Sequence, residues 1–137
     1  MNTRQFALVS GVIYLLIAIG GFLPDMLRPL PGDSPHTTIH LLEGKLFGYF
    51  PVNIAHSLVH LGIGMWGTIA ARSDYGAIVY SRTLAVLFAV LAIMGLFPTL
   101  NVAFGLLPLY SHDIWLHAVT AALATYFGYY ADARLRR

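Results

Sequence analysis

Four stretches of the chain contain no Lys, Arg, Asp or Glu, and each is close to the length needed to cross a lipid bilayer as a helix. They cover residues 6–23, 52–71, 83–107 and 114–130. A helix of about 20 apolar residues spans the roughly 30 Å hydrocarbon core. Charged residues make up only 10% of the chain, whereas soluble domains carry about 25%. The sequence therefore predicts an integral membrane protein.

The predicted fold class is all-α, a four-helix transmembrane bundle that forms a single domain over residues 1–137. Pro98 ends the third helix, because proline interrupts helical hydrogen bonding and restricts the residue before it. The remaining apolar residues then return along the outer surface. The predicted helices cover about residues 5–23, 52–71, 83–98 and 114–131.

The connection between the first two predicted helices contains a further signal. Ser34 followed by Pro35 is typical of a helix N-cap and first turn. Apolar residues then recur at helical spacing, at Ile39, Leu42 and Leu46. We predict a short amphipathic interfacial helix at about residues 35–47, lying on the membrane surface as a lid over the bundle mouth.

The distribution of basic residues predicts the orientation in the membrane. Arg28 and Lys45 fall on one predicted side, and the other six basic residues fall on the opposite side. These six are Arg4, Arg72, Arg82, Arg134, Arg136 and Arg137. Because cytoplasmic loops are enriched in Lys and Arg, both termini are predicted to be cytoplasmic.

Residue types exclude several other functions. The chain has no cysteine, which excludes disulfides, thiolate catalysis and iron–sulfur clusters. The basic residues lie at predicted helix ends rather than in a patch, so no nucleic-acid partner is expected. The expected partners are the lipid bilayer and either other membrane subunits or further copies of the chain.

Polar residues line one face of the second predicted helix and the start of the fourth. Asn53, His56 and His60 are spaced by three or four residues, and Ser57 borders this face. On the fourth helix, Asp113 and His117 precede small residues that permit close packing. Unpaired polar groups are costly in hydrocarbon, so both faces are predicted to point inward and meet. Tyr14 and Ser10 on the first helix are left unassigned, because they are predicted to lie far toward the cytoplasm and are not certain members of this group.

Several uses fit this set of residues. A metal ion would take His56, His60, His117 and Asp113, since histidines at i and i+4 present two nitrogens to one ion. A tetrapyrrole would take His60 and His117 as axial ligands. The same histidines suit proton transfer. A structural hydrogen-bond network is a further alternative.

The supporting residues are assigned from the same pattern. Asn53 and Ser57 are predicted as supporting polar groups, and Trp115 as a supporting or interfacial residue. No catalytic residue is assigned, because the chain lacks the glutamate of zinc-protease helices, a Gly-rich loop and a nucleophile elbow.

The chain resembles a bacterial membrane family catalogued as domain of unknown function 4383. The resemblance is carried by residues 47–64 (FGYFPVNIAHSLVHLGIG) and 113–117 (DIWLH), and it covers most of the chain. It implies four helices and a location in the bacterial cytoplasmic membrane, but it brings no reaction, ligand or partner. It also implies that the signature residues are Asn53, His56, His60, Asp113, Trp115 and His117.

These observations favour a small multi-pass, non-enzymatic membrane protein. Its role would be that of an accessory subunit or of a metal- or tetrapyrrole-binding module on the outer side. The alternative is a metal-dependent membrane enzyme that acts on a lipid or small amphiphile entering under the predicted lid.

Overall fold

The computed structural model describes residues 1–131, which form four α-helices and a small sheet. Among these residues, α1 and α3 are long and apolar enough to span a membrane, and α2 is a shorter apolar helix. The prediction of a four-helix fold is confirmed. The helices are α1 (Thr3–Phe22), α2 (Ile54–Ala70), α3 (Asp74–Leu96) and α4 (His112–Tyr129).

Side-chain caps set the first residues of three helices. Asn2 and Gln5 form a capping box at the start of α1, and Asn53 caps α2 by accepting from the backbone N–H of His56. Ser73 accepts from the N–H of Gly76 and starts α3 at Asp74. The predicted start near residue 83 was therefore wrong. The prediction used a stretch without charged residues and therefore left out Arg82. In the structure, the guanidinium Nε of Arg82 donates to the carbonyl of Gly128 on α4 at 2.9 Å.

The helices pack as two close pairs, α1 on α2 and α3 on α4. Glycines allow the backbones of α1 and α2 to come into direct contact. A Cβ added to Gly11 would lie 2.7 Å from the backbone nitrogen of Thr68, and one added to Gly64 would lie 2.7 Å from that of Leu15. Small residues at such positions are what permits close helix contact in membrane bundles. Tyr80 forms part of the core between the pairs.

The predicted interfacial helix at residues 35–47 is wrong, because this segment consists of irregular chain, turns and one short strand. The three strands form an antiparallel sheet in the order β1-β2-β3, with Lys45 opposite both Arg28 and Pro51. The strands are β1 (Leu27–Arg28), β2 (Gly44–Leu46) and β3 (Phe50–Val52), and a 3₁₀ turn, Pro24–Met26, precedes them. The all-α class is corrected to mostly helical with this sheet.

Non-helical backbone and competing hydrogen bonds explain why the helical spacing of residues 35–47 fails. Leu42 and Phe47 have φ values of 51° and 54°, outside the right-handed helical region. The backbone N–H of Thr38 donates to the carbonyl of Gly105, in the connection between α3 and α4. The Thr37 hydroxyl donates to Glu43 and to the carbonyl of Ile39, and such bonds favour turns over helices. Contacts to distant residues therefore override the local apolar pattern.

The bundle has two distinct ends. The sheet end contains the three strands, the start of α2 and α4 and the end of α1 and α3. The termini end contains the start of α1 and α3 and the end of α2 and α4. Three residues used in the orientation argument, Arg134, Arg136 and Arg137, lie outside the described residues.

Candidate metal centre

Four buried side chains from two helices meet at the sheet end, and we call them the histidine–aspartate cluster: His56 and His60 on α2, Asp113 and His117 on α4. His56 and His60 lie one helical turn apart, as do Asp113 and His117, so each pair shares a helix face. Each of the four side chains is at most 2% exposed. The helical spacing predicts that the polar faces of these two helices meet, and in the structure the four side chains lie together.

The three histidine rings are close enough to share one ligand. Ring centroids are 4.4 Å apart for His56 and His60 and 6.0 Å apart for His56 and His117. One ring nitrogen from each histidine lies within 4.8 Å of those from the other two. Imidazole nitrogens arranged in this way are the ligands that zinc and related transition ions prefer.

Asp113 lies between two of these histidines without forming a hydrogen bond. Its Oδ2 is 3.5 Å from His56 Nε2 and 3.6 Å from His117 Nε2. Charge-assisted hydrogen bonds between such groups are about 2.7–2.9 Å long. Within residues 1–131, neither carboxylate oxygen has a hydrogen-bond partner. A buried carboxylate is costly unless a positive charge or donors compensate it, so this residue is poised for a cation.

Both ring nitrogens of His60 and of His117 also have no hydrogen-bond partner in the described part of the chain. Most buried polar groups in folded proteins are hydrogen-bonded, and each exception needs an explanation. A ligand held between these neighbouring nitrogens and oxygens would account for all of them at once.

Asn53 supports the cluster by fixing the start of α2. Its side-chain amide donates to the carbonyl of Ile39 at 3.2 Å and to that of Leu106 at 2.9 Å. Its Oδ1 accepts from the N–H of His56 at 2.9 Å. A single buried side chain thus joins α2 to both connections at the sheet end.

Tyr14 on α1 contacts the cluster, although its predicted depth leaves it unassigned to this group of residues. Its ring is 5.3 Å from the ring of His60 and stacks on Phe88, also at 5.3 Å. Its hydroxyl is 3.0 Å from the Thr120 hydroxyl on α4. Phe88 in turn packs against His117. Counted from the sheet end at about 1.5 Å per residue, Tyr14 lies about 12 Å along α1 and His60 about 9 Å along α2, so the two rings are at similar depths.

Other polar residues of the sheet end lie apart from the cluster. Trp115 is half exposed, and its indole N–H donates to His112 Nδ1 at 2.9 Å. His40 and Glu43, 2.7 Å apart, form a separate pair in the connection that precedes α2.

Ser57 and Tyr110 are buried at the same end. Ser57 packs against Gly21 of α1. Burial raises the pKa of the Tyr110 phenol, in the connection before α4, so this side chain is neutral at neutral pH.

The fold and the cluster together define a small, mostly helical protein with buried histidines and an apolar exterior. A family model, described as a domain of unknown function (DUF4383), matches residues 4–130, and the chain belongs to this family. The resemblance inferred from residues 47–64 and 113–117 is thereby confirmed. No curated protein and no solved structure matches the chain. Function therefore has to be argued from the site.

Proposed function

We propose that this protein is a small multi-pass membrane protein that holds one divalent transition-metal ion in the histidine–aspartate cluster. The observation that carries the proposal is the set of three buried histidines whose ring nitrogens lie within 4.8 Å of one another, with the buried Asp113 beside two of them. The ligands are His56, His60, His117 and Asp113.

The outer surface of the bundle supports membrane insertion of all four helices. Large apolar side chains are exposed along every helix, while the polar groups of the cluster are buried, which is the arrangement expected in lipid. Exposed examples are Leu16 and Ile19 on α1, Leu58 and Ile69 on α2, Val86 and Ile93 on α3, and Val119 and Leu123 on α4. The arginine distribution supports the bacterial cytoplasmic membrane with both termini in the cytoplasm.

The distances suit a metal ion better than direct pairing. At Zn–N distances of about 2.0–2.1 Å, two ligands of a tetrahedral ion lie about 3.3–3.4 Å apart. The separations of 3.5 and 3.6 Å between Asp113 Oδ2 and the two Nε2 atoms are close to this value. The histidine nitrogens, within 4.8 Å of one another, would have to approach by up to about 1.4 Å to reach this separation. The ion would also compensate the buried carboxylate charge.

The size of the site favours an ion over a tetrapyrrole. The cavity beside the cluster has a volume of about 90 Å³, whereas pockets for organic ligands and cofactors measure about 300–1,000 Å³. A macrocycle would require the bundle to open, and an ion would not.

Elemental analysis of the protein purified in mild detergent tests this proposal. We expect about one transition-metal ion per folded chain, because the cluster supplies a four-ligand set. His117→Ala and Asp113→Ala should lose the metal while retaining the helical circular dichroism spectrum. His36→Ala is the matched control, since His36 is exposed outside the cluster. Folded wild-type protein that contains no metal, both as isolated and after incubation with Zn²⁺ and Co²⁺, would overturn the proposal.

A further inference from the structure

A cavity of about 90 Å³ adjoins the histidine–aspartate cluster, and residues of α1, α2, α4 and the sheet line it. Apolar side chains form most of its wall, among them Ile17 of α1, Val52 of β3 and Leu116 of α4. Phe47, in the turn between β2 and β3, also lines it and is 56% exposed. The cavity therefore extends from the cluster to the protein surface just below the sheet.

Two members of the cluster reach the wall of this cavity. They are His60 and Asp113, which are 2% and 1% exposed. Neither ring nitrogen of His60 and neither carboxylate oxygen of Asp113 has a hydrogen-bond partner within the described residues. Polar atoms without partners beside an otherwise apolar space indicate that the cavity gives access to whatever the cluster binds.

We propose that the bound metal ion keeps one coordination position open toward this cavity, where it takes a small uncharged ligand that exchanges with water. This inference rests on the proposed metal site. Because four protein ligands already hold the ion, it would become five-coordinate on taking this ligand, an expansion that zinc sites can undergo. The cluster would then be a reactive or sensing centre rather than a closed structural site.

The cavity determines the class of ligand by size and by charge. Each water occupies about 30 Å³ in the liquid, so a space of about 90 Å³ admits about three waters or a molecule of a few heavy atoms. No Lys or Arg lies among the residues that line the cavity, all of which the structure describes. An apolar wall without cations disfavours an anion. A lipid headgroup is too large for this space as it stands.

Two isocyanides that share a donor atom but differ in bulk test the inference on Co²⁺-loaded protein in mild detergent. Methyl isocyanide should shift the visible d–d bands of the bound Co²⁺ and saturate. The bulkier tert-butyl isocyanide should bind at least tenfold more weakly, because the cavity excludes it. Azide, which is small but charged, should also bind more weakly than methyl isocyanide.

A variant in which a larger side chain fills the cavity tests the same inference against a control on the same helix. Leu116→Trp should retain Co²⁺ but weaken methyl isocyanide binding at least tenfold, whereas Leu123→Trp, at an exposed position on the same helix, should bind it like the wild type. If Leu116→Trp loses Co²⁺, Ile17→Phe narrows the cavity from α1 and is judged by the same measurement.

The outcomes separate the two proposals. Wild-type protein that binds no Co²⁺ contradicts the metal site itself. Co²⁺ that binds but does not respond to methyl isocyanide, or responds equally to both isocyanides, overturns the open position and leaves the metal site standing. An unchanged isocyanide affinity in a Co²⁺-loaded cavity-filling variant also overturns the open position.

Discussion

The two ends of the bundle differ in whether their buried polar side chains have hydrogen-bond partners. At the termini end, the Thr3 hydroxyl donates to the carbonyl of Phe127 at 2.7 Å, and the Ser10 hydroxyl donates to that of Phe6 at 2.7 Å. Ser81 is an exception, since its hydroxyl has no partner among residues 1–131. At the sheet end, four ionisable side chains converge and their polar atoms are mostly unpartnered.

This difference separates polar groups that hold the helices together from polar groups that bind. A hydroxyl that needs only one partner is satisfied by a backbone carbonyl one turn away or on the next helix. Imidazole and carboxylate groups left without such partners are costly in an apolar interior. An ion that compensates the imidazole and carboxylate groups would explain why they are buried at the sheet end. The following predictions test this difference between the two ends.

Metal binding should distinguish the two ends most strongly. Zn²⁺ at about 100 times its dissociation constant should raise the free energy of unfolding by about 2.7 kcal/mol, because the ion binds only the folded cluster. Chemical denaturation in detergent micelles measures this change. His117→Leu should abolish the increase, whereas His112→Ala, at an exposed position one turn away, should retain it. An equal increase in His117→Leu would show that Zn²⁺ acts elsewhere.

A substitution that disturbs the close packing of α1 on α2 should have the next largest effect on the free energy of unfolding. Gly11→Ala should lower the free energy of unfolding by about 1–3 kcal/mol, because the added Cβ would meet the backbone of α2. Gly62→Ala is the control within α2, since its Cβ would meet no atom within 4 Å. The same denaturation assay should show Gly62→Ala unchanged or stabilised. Equal destabilisation by the two substitutions would contradict the close contact.

Hydrogen bonds at the termini end should have smaller effects. Thr3→Val removes the bond from the Thr3 hydroxyl to the Phe127 carbonyl and should cost about 1 kcal/mol. Thr68→Val is the control, because the Thr68 hydroxyl bonds only within its own helix, to Met65. Metal content should remain that of the wild type in both variants. Loss of metal from Thr3→Val would show that the two ends are coupled.

Much of the cluster was predictable because its members lie at helical spacing. His56 and His60 share a face of α2 and Asp113 and His117 share a face of α4, and apolar surroundings force both faces inward. The contact of Tyr14 with His60 was not predictable, because it depends on the position in which α1 packs against α2. That position is set by Gly11 and Gly64, whose partners are backbone atoms on the opposite helix.

The connection between α1 and α2 shows the limit of local patterns most clearly. Its apolar spacing indicates a helix, but the segment forms β2 between two other strands. Strand pairing places Lys45 opposite Arg28 and Pro51, and a separate backbone hydrogen bond joins the N–H of Thr38 to the carbonyl of Gly105. Periodicity within one segment contains no information about such partners.

The sequence by itself determined four helices, the apolar character of their surfaces and the identity of the inward-facing polar residues. These are local properties, since hydropathy and a 3.6-residue period are expressed within each segment. Tertiary contacts are needed to place the first connection, between α1 and α2, in a sheet, to bring Tyr14 to His60 and to form an apolar cavity beside Asp113. Each of these depends on the packing of residues distant in the chain.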